Sequence, residues 1–474
     1  MMYYVNNMIK IAVTVALMCF LPTCVQQDQT GGLKTNSPIT IKLPSAGFAS
    51  FINSDFPADC LHAIVNVGNV PAHSQRVVRG KTYWFKGSKR DLFEKGRGDF
   101  PESHDKNNIE LYVSYLSEQK MSPVDYVMTL FENHDIVILC ERFHGEMTQY
   151  EFIYDLIKDR RFIDQVGNVF TEIGTSSING ELHDFLFADD LKENEIESQL
   201  LNIYRNLSWF PFWEKYNFFD FLGKMYRLND SLSYDQKISI CCSDMPFSWE
   251  GMTAKKYDEF RETLPERDRI MSQQIIDRFR KIEQSDQQRK KALVIMNYRH
   301  AFNDFTFSDG SKGDNVGRYL FEEFHDRVSN VMINSVALLP GTTDREAIYA
   351  PIHNGKWDAA FEAVGNPNVG FNFENSPFGE DYFDYFIFRK HDLKYKDVFT
   401  GFIFYEPLKS HIQIFAVPHL FDDGYDKIIL QRMTLTGHPI EEDRAQQLIL
   451  EYEKIRELSY DNMDDMEKTI KSWL

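Results

Sequence analysis

Short continuous apolar runs alternate with longer stretches of helical spacing through the middle of this chain. The runs are Ile136–Cys140, Val166–Ile173, Lys237–Cys242, Ala292–Met296, Val331–Leu338 and Phe399–Phe404. Apolar at nearly every position, they read as strands buried on both faces. Most are separated by Met147–Asp159, Glu181–Tyr204, Glu214–Leu228, Tyr257–Ile282 and Val316–His325, where apolar positions recur with a helical period. A further helix precedes the first run, with Val124, Val127, Met128 and Phe131 on one side. This alternation predicts an α/β fold in which a mostly parallel central sheet is flanked by helices. The helical stretches at 176–235 and 245–285 are expected to form a lid-like insertion over the sheet. A small N-terminal extension precedes it all.

The ends of the chain differ in character. Lys10 leads into the apolar run Ile11–Leu21, too short to cross a bilayer and typical of a signal-peptide core. Leu21-Pro22-Thr23-Cys24 follows and resembles a bacterial lipobox. Residues 1–24 are therefore expected to be a lipoprotein signal peptide, with Cys24 carrying the lipid. Such an anchor would hold the protein at the cell envelope, in the periplasm or on the surface, without a spanning helix; plain cleavage and secretion is the other reading. Residues 25–38 form a polar linker, and 39–122 a segment without readable chemistry. Residues 123–440 are the α/β domain, and 441–474 are a charged tail with a helical pattern.

Composition narrows the function. With 52 Lys and Arg against 71 Asp and Glu, the formal net charge is −19. That repels phosphate backbones, so nucleic-acid binding is not expected. After the leader, Cys60, Cys140, Cys241 and Cys242 remain, in no C-x-x-C pair. Neither a zinc ribbon nor a disulfide framework is expected from these spacings.

Polar residues directly after parallel strands converge on the crevice at the sheet's carboxyl edge. The first run is followed by Glu141-Arg142-Phe143-His144-Gly145-Glu146, the second ends Thr171-Glu172-Ile173-Gly174, and the fourth is followed by Asn297-Tyr298-Arg299-His300. Asp244, after the third, is a further candidate. Two imidazoles and two carboxylates at such positions suit general acid–base chemistry, because a carboxylate orients a neighbouring imidazole and raises its basicity. Singly, each residue reads equally as a core hydrogen-bonding group; the coincidence of several points to a site. The aromatic cluster Trp209, Phe210, Phe212 and Trp213 either lines that crevice or fills the core.

Read together, these segments resemble the erythromycin esterase-like family, within a superfamily that includes ChaN-type haem-binding lipoproteins and the TraB and Tiki proteins. Cys140-Glu141-Arg142-Phe143-His144-Gly145 is similar to the family's G-E-x-x-H-G motif, with Cys140 in place of the first glycine. Thr171-Glu172-Ile173-Gly174 resembles its second-strand glutamate, Glu266-Arg267-Asp268-Arg269-Ile270-Met271 its R-D-x-x-M helix, Tyr298-Arg299-His300 its last strand-end histidine, and Asn315–Leu320 a downstream G-x-x-L element. The resemblance spans residues 123 to about 340.

It implies that His144 is the general base for a water nucleophile, oriented by Glu172. It also implies that His300 binds or polarises the substrate, with Glu141, Arg267 and Asp268 in support. Without it, Arg267 and Asp268 would read as an ordinary pair on a helix surface. Tyr298 and Arg299, where the family carries small or polar residues, are expected to contact substrate, as is Asp244. The activity implied is metal-independent hydrolysis of an ester in a small-molecule substrate, with no cofactor. One alternative is a haem or divalent-metal binder using His144, Glu172 and His300 as ligands, including a metal-dependent peptidase of the Tiki type. The other is a catalytically inert surface module. Oligomeric state is not legible.

Overall fold

A computed structural model describes residues 109–211, 213, 215–304, 312, 314–340, 347–384, 393–437, 446, 449–450, 454–460 and 462–474, with the backbone of three short strands at 41–42, 74–78 and 81–85. The leader, Cys24 and the linker lie outside the described residues.

Seven strands form the central sheet: β1 (Ile136–Glu141), β2 (Asn168–Thr175), β3 (Ser239–Asp244), β4 (Ala292–Asn297), β5 (Val328–Ile333), β6 (Val369–Asn372) and β7 (Gly401–Phe404). Their order is β6-β7-β5-β1-β4-β2-β3, and every neighbouring pair is parallel except β6 with β7. The mostly parallel α/β architecture is thus the one the hydrophobic pattern predicts. Alternate strand residues feed two separate cores. Val137, Leu139, Val169, Leu293 and Ile295 enter one, and Ile136, Ile138, Phe170, Val294 and Met296 the other. That division explains why the strands read as unbroken apolar runs.

The helices that concern the site are α1 (Pro123–Asn133), α2 (Met147–Lys158), α3 (Asn179–Phe187), α4 (Glu193–Asn206), α5 (Tyr216–Asp230), α6 (Ala254–Arg261), α7 (Arg267–Gln284) and α8 (Val316–Phe324). Four of them come from splitting two expected longer ones. Glu181–Tyr204 is interrupted after α3, where Asp190 takes a left-handed conformation at φ 57° and the Glu195 side chain caps the backbone N–H of Lys192. Tyr257–Ile282 is broken by the short 3₁₀ turn Leu264-Pro265-Glu266, since a proline cannot donate inside a helix.

The expected strand Val331–Leu338 is likewise two elements. β5 stops at Ile333, and Val336–Pro340 pairs instead with Ala347–Pro351 in a separate hairpin. Asn334 makes the break: its side chain accepts from Tyr405 N at 2.9 Å and donates to Glu406 O at 2.8 Å, which draws the chain out of the sheet. β6, the antiparallel edge strand, had no signal in the sequence. In the tail, the described residues hold the strand Arg456–Leu458 as well as the helix Met463–Lys471. At the other boundary, the helix Glu110–Glu118 packs Tyr112 and Leu116 into the same core as the sheet.

Candidate functional site

Because β1 to β4 run parallel, their carboxyl ends place Glu141, Asp244 and Asn297, the last residues of three strands, along one edge. Glu172 comes to the same edge by a different route. β2 continues past it to Thr175, but the pairing with β4 ends at Thr171↔Ile295 and the register against β3 shifts between Thr171 and Thr175. Gly174 permits the irregularity with φ 98°. Glu172 is therefore not at the strand's end as expected; it sits at a bulge that turns its carboxylate inward. Asn297 N then donates to Glu172 Oε2 at 3.0 Å.

The segment after β1 is held by a buried ion pair. Arg142, fully enclosed, donates from Nη1 to Glu146 Oε2 at 2.9 Å, from Nε to Asn334 O at 2.6 Å and from Nη2 to Asn334 Oδ1 at 2.7 Å. Glu146 in turn caps α2 by accepting from Thr148 N and Gln149 N, both at 2.9 Å. This arch leaves His144 projecting between them, with Nδ1 on Glu141 Oε1 and Nε2 at 3.6 Å from Glu172 Oε1. Tyr150 OH donates to the second oxygen of Glu141 at 3.0 Å.

His300 approaches from the opposite side on the turn Tyr298–Ala301. Its Nδ1 meets Asp268 Oδ2 at 2.7 Å, and its Nε2 stands 3.5 Å from the same Glu172 Oε1. Arg267, the first residue of α7, completes the group. It donates from Nη2 to Glu172 Oε1 at 3.1 Å, and from Nε and Nη2 to the two oxygens of Asp244 at 2.7 and 3.1 Å. Arg267 and Asp268 are both buried, so they are not a helix-surface pair. The fold thus brings His144, Glu172, His300, Glu141, Arg267, Asp268 and Asp244 into one network. His144 is its most open member, with 21% of its side chain exposed against 4% for Glu172.

Charge follows from this geometry. Burial alone would depress the His144 pKa, but the carboxylates of Glu141 and Glu172 outweigh it and raise it to about 9. Burial would likewise raise Glu172, yet His300, His144 and Arg267 hold it well below the usual carboxylate range. Burial opposes the charge on Arg267, and Asp244 and Glu172 more than restore it. At neutral pH the free site therefore presents a protonated His144 against an ionised Glu172.

Asp244, expected to contact substrate, is engaged within the network. Its oxygens are instead occupied by Arg267, by Trp209 Nε1 at 3.0 Å and by Met245 N at 2.8 Å, so it positions Arg267. Cys140, where the resemblance has glycine, is fully buried in the core under the sheet and takes no space from the crevice. The side chains of Tyr298 and Arg299, and all of Phe212, lie outside the described residues. Tyr150 and Asn297 were not anticipated as site residues, and of the aromatic cluster it is Trp213 that lies against His144, ring centroids 5.5 Å apart. Asn297 carried a usable signal, a polar residue closing an apolar strand; Tyr150 looked like a member of an apolar helical stretch.

At His144, Glu172 and His300, the alternative ligand set for a divalent ion, one positive charge is already in place. Glu172 Oε1, the oxygen that faces both histidines, has the Arg267 guanidinium at 3.1 Å, and a further buried positive charge there would be repelled. Among the described residues, no group of three or more His, Cys, Asp or Glu side chains forms a metal site.

No family model and no curated protein matches this chain. Solved structures to which this chain is similar include a Bacillus cereus protein, at 10% identity and TM-score 0.39 over 63% of this chain and 97% of that one. An erythromycin esterase, the EreC mutant in its open conformation, is similar at 11% identity and TM-score 0.36 over 59% of this chain and 92% of that one. The type III effector HopBA1 is similar at 11% identity and TM-score 0.29, over 48% of this chain and 92% of its own.

Proposed function

We propose that this chain is a hydrolase that directs water onto an ester in a small-molecule substrate. One observation carries the reading: a single carboxylate oxygen, Glu172 Oε1, is faced by the Nε2 atoms of both His144 and His300 at 3.6 and 3.5 Å. These spacings are longer than good direct hydrogen bonds, and the reading places the attacking water beside Glu172 Oε1, between the two imidazoles. Each imidazole is aimed by a carboxylate on its Nδ1, Glu141 for one and Asp268 for the other. That arrangement fixes the tautomer and orientation.

The reading takes the protonated His144 as the donor and His300, in its neutral form, as the base. As the water oxygen bonds to the ester carbon, the water's proton passes to His300 Nε2, and His144 Nε2–H stabilises the oxygen that becomes negative. When the tetrahedral adduct collapses, the proton of His144 Nε2 leaves with the alcohol, and His300 still holds the one taken from water. Acid and alcohol are released, and Glu172 relays a proton between the imidazoles to restore the start. This exchanges the parts that the family resemblance implied for the two histidines.

Hydrolysis of p-nitrophenyl esters tests the reading. It is expected to be lost in Glu172→Gln and in His300→Ala, with the fold retained. Stoichiometric metal or a Soret band in the purified protein would overturn it. We further place the chain at the cell envelope through acylation of Cys24, for which the lipobox-like sequence is the support. Cys24→Ala is expected to release it from membranes, and undiminished membrane retention would contradict the anchor.

A further inference from the structure

The carboxylate that aims His144 is itself held from its far side. Glu141, buried at the end of β1, has a different partner on each oxygen: Oε1 takes His144 Nδ1, and Oε2 accepts from Tyr150 OH at 3.0 Å. The phenol stays a donor at neutral pH, because burial and the Glu141 charge hold its pKa well above the ordinary value.

Tyr150 has little freedom to move. It closes the first turn of α2, buried, and its ring stands edge-on to Phe218 and Phe221 of α5, with centroids 6.2 and 5.3 Å away. Its neighbour Gln149, fully buried, accepts from Arg142 N through Oε1 and donates from Nε2 to Phe143 O at 2.8 Å. One turn of helix therefore grips the loop that carries His144 twice, its backbone through Gln149 and its aiming carboxylate through Tyr150.

An anion placed between two donors divides its charge between them, and in a dry setting each such bond counts for more than in water. What Tyr150 draws from Glu141 is withheld from the imidazole. We propose that Tyr150 is a positioning residue of the site: it holds the Glu141 carboxylate in one orientation and shares its charge, so that His144 stays aimed at Glu172 without being locked to Glu141. That the His144 proton goes to a leaving alcohol rests on the function proposed above; the division of Glu141 does not.

The other charged groups around the imidazole leave this division to Tyr150. Glu172 faces it from β2, with Arg267 and His300 on the same Glu172 oxygen. Lys215 comes near the loop with its stem, Cγ lying 3.6 Å from where a Cβ on Gly145 would stand. Tyr204, close to Tyr150, gives its hydroxyl to Lys215 O. Among the described residues none of these hydrogen-bonds the Glu141 carboxylate, so removing the Tyr150 hydroxyl changes only its share.

The test is Tyr150→Phe in the full chain, with His144 followed by ring-nitrogen NMR of isotope-labelled histidine. Left with one donor, Glu141 leans wholly on the imidazolium, and His144 is expected to titrate about one pH unit higher than in wild type, part of the worth of a charge-assisted hydrogen bond. With Glu141→Gln already present there is no charge to divide, and the same replacement is expected to leave His144 where it is. In ester hydrolysis Tyr150→Phe is expected to lower kcat about tenfold with KM little changed, because a weaker acid donates less readily. An unchanged or lowered His144 pKa in Tyr150→Phe, or the same rise with Glu141 already replaced, overturns the inference, as does wild-type kcat in the variant. If the rise appears and needs Glu141 while no ester is ever hydrolysed, the hydrolase reading falls and this one stands.

Discussion

Arg267 grips Asp244 with both arms of a fork, Nε on Oδ1 at 2.7 Å and Nη2 on Oδ2 at 3.1 Å, and the same Nη2 reaches Glu172. The start of α7 is thereby tied to the ends of β2 and β3, and two buried carboxylates share one cation. Such a triad adds little net stability when complete, because desolvation offsets the attraction, but it is expensive to break.

Arg267→Ala should therefore lower the unfolding free energy by about 3–5 kcal/mol, since it strands two carboxylates in a dry site. Arg267→Lys should recover less than half of that, because a point ammonium cannot span both partners. Urea unfolding of the three proteins checks it; equal midpoints for wild type and Arg267→Ala would show that water reaches Glu172 and Asp244 freely.

His144 should make stability fall on the alkaline side. Its pKa rises from 6.5 to about 9 on folding, so the native state holds the proton more tightly. The associated stabilisation is fully present below pH 6.5 and lost as the pH climbs through about 9. Its size is on the order of 3 kcal/mol. The difference in unfolding free energy between wild type and His144→Gln should shrink over that window, and a flat difference from pH 6 to 10 would refute the charge assigned to His144.

The same proton governs turnover if His144 is the donor. Ester hydrolysis should then decline above pH about 9. Replacing Glu141, one of the two carboxylates that raise the imidazole, by Gln should move that decline to lower pH. A rate that instead climbs through pH 9 would return the base role to His144 and the donor role to His300.

Much of this could be read from the chain because its logic is local. Glu141, His144 and His300 each follow an apolar run, and a parallel sheet sends all such positions to one edge. Arg267 and Asp268 were legible only through the family resemblance, because nothing in a helix's own periodicity says that its first turn is buried. The part played by Asp244 was missed for the same reason: its partners, Arg267 and Trp209, are remote in sequence. The break at Asn334 also depends on distant groups, Tyr405 and Glu406. Trp213 was noticed as an aromatic, but its place against His144 becomes visible only in three dimensions.

Gly317 offers a test of how α8 supports the site. A Cβ there would lie 2.0 Å from the carbonyl oxygen of Phe302 and 2.9 Å from its carbonyl carbon. Those are backbone atoms two residues beyond His300, and they cannot rotate away. The turn is pinned from below as well, since Asn330 Nδ2 donates to Ala301 O at 2.8 Å. In Gly317→Ala, α8 must retreat or the turn must shift, and the turn carries His300 away from Asp268 and Glu172. Overpacking of this kind costs about 1–3 kcal/mol. Because misplacement by a fraction of an ångström is felt at a reacting centre, kcat should fall by roughly tenfold or more with KM little changed. If the loss arises through His300, Asp268→Asn should cost less in the Gly317→Ala background than in wild type, because the contact it removes is already loosened. Strict additivity, or wild-type kcat in Gly317→Ala, would show that α8 packs against the turn without positioning the imidazole.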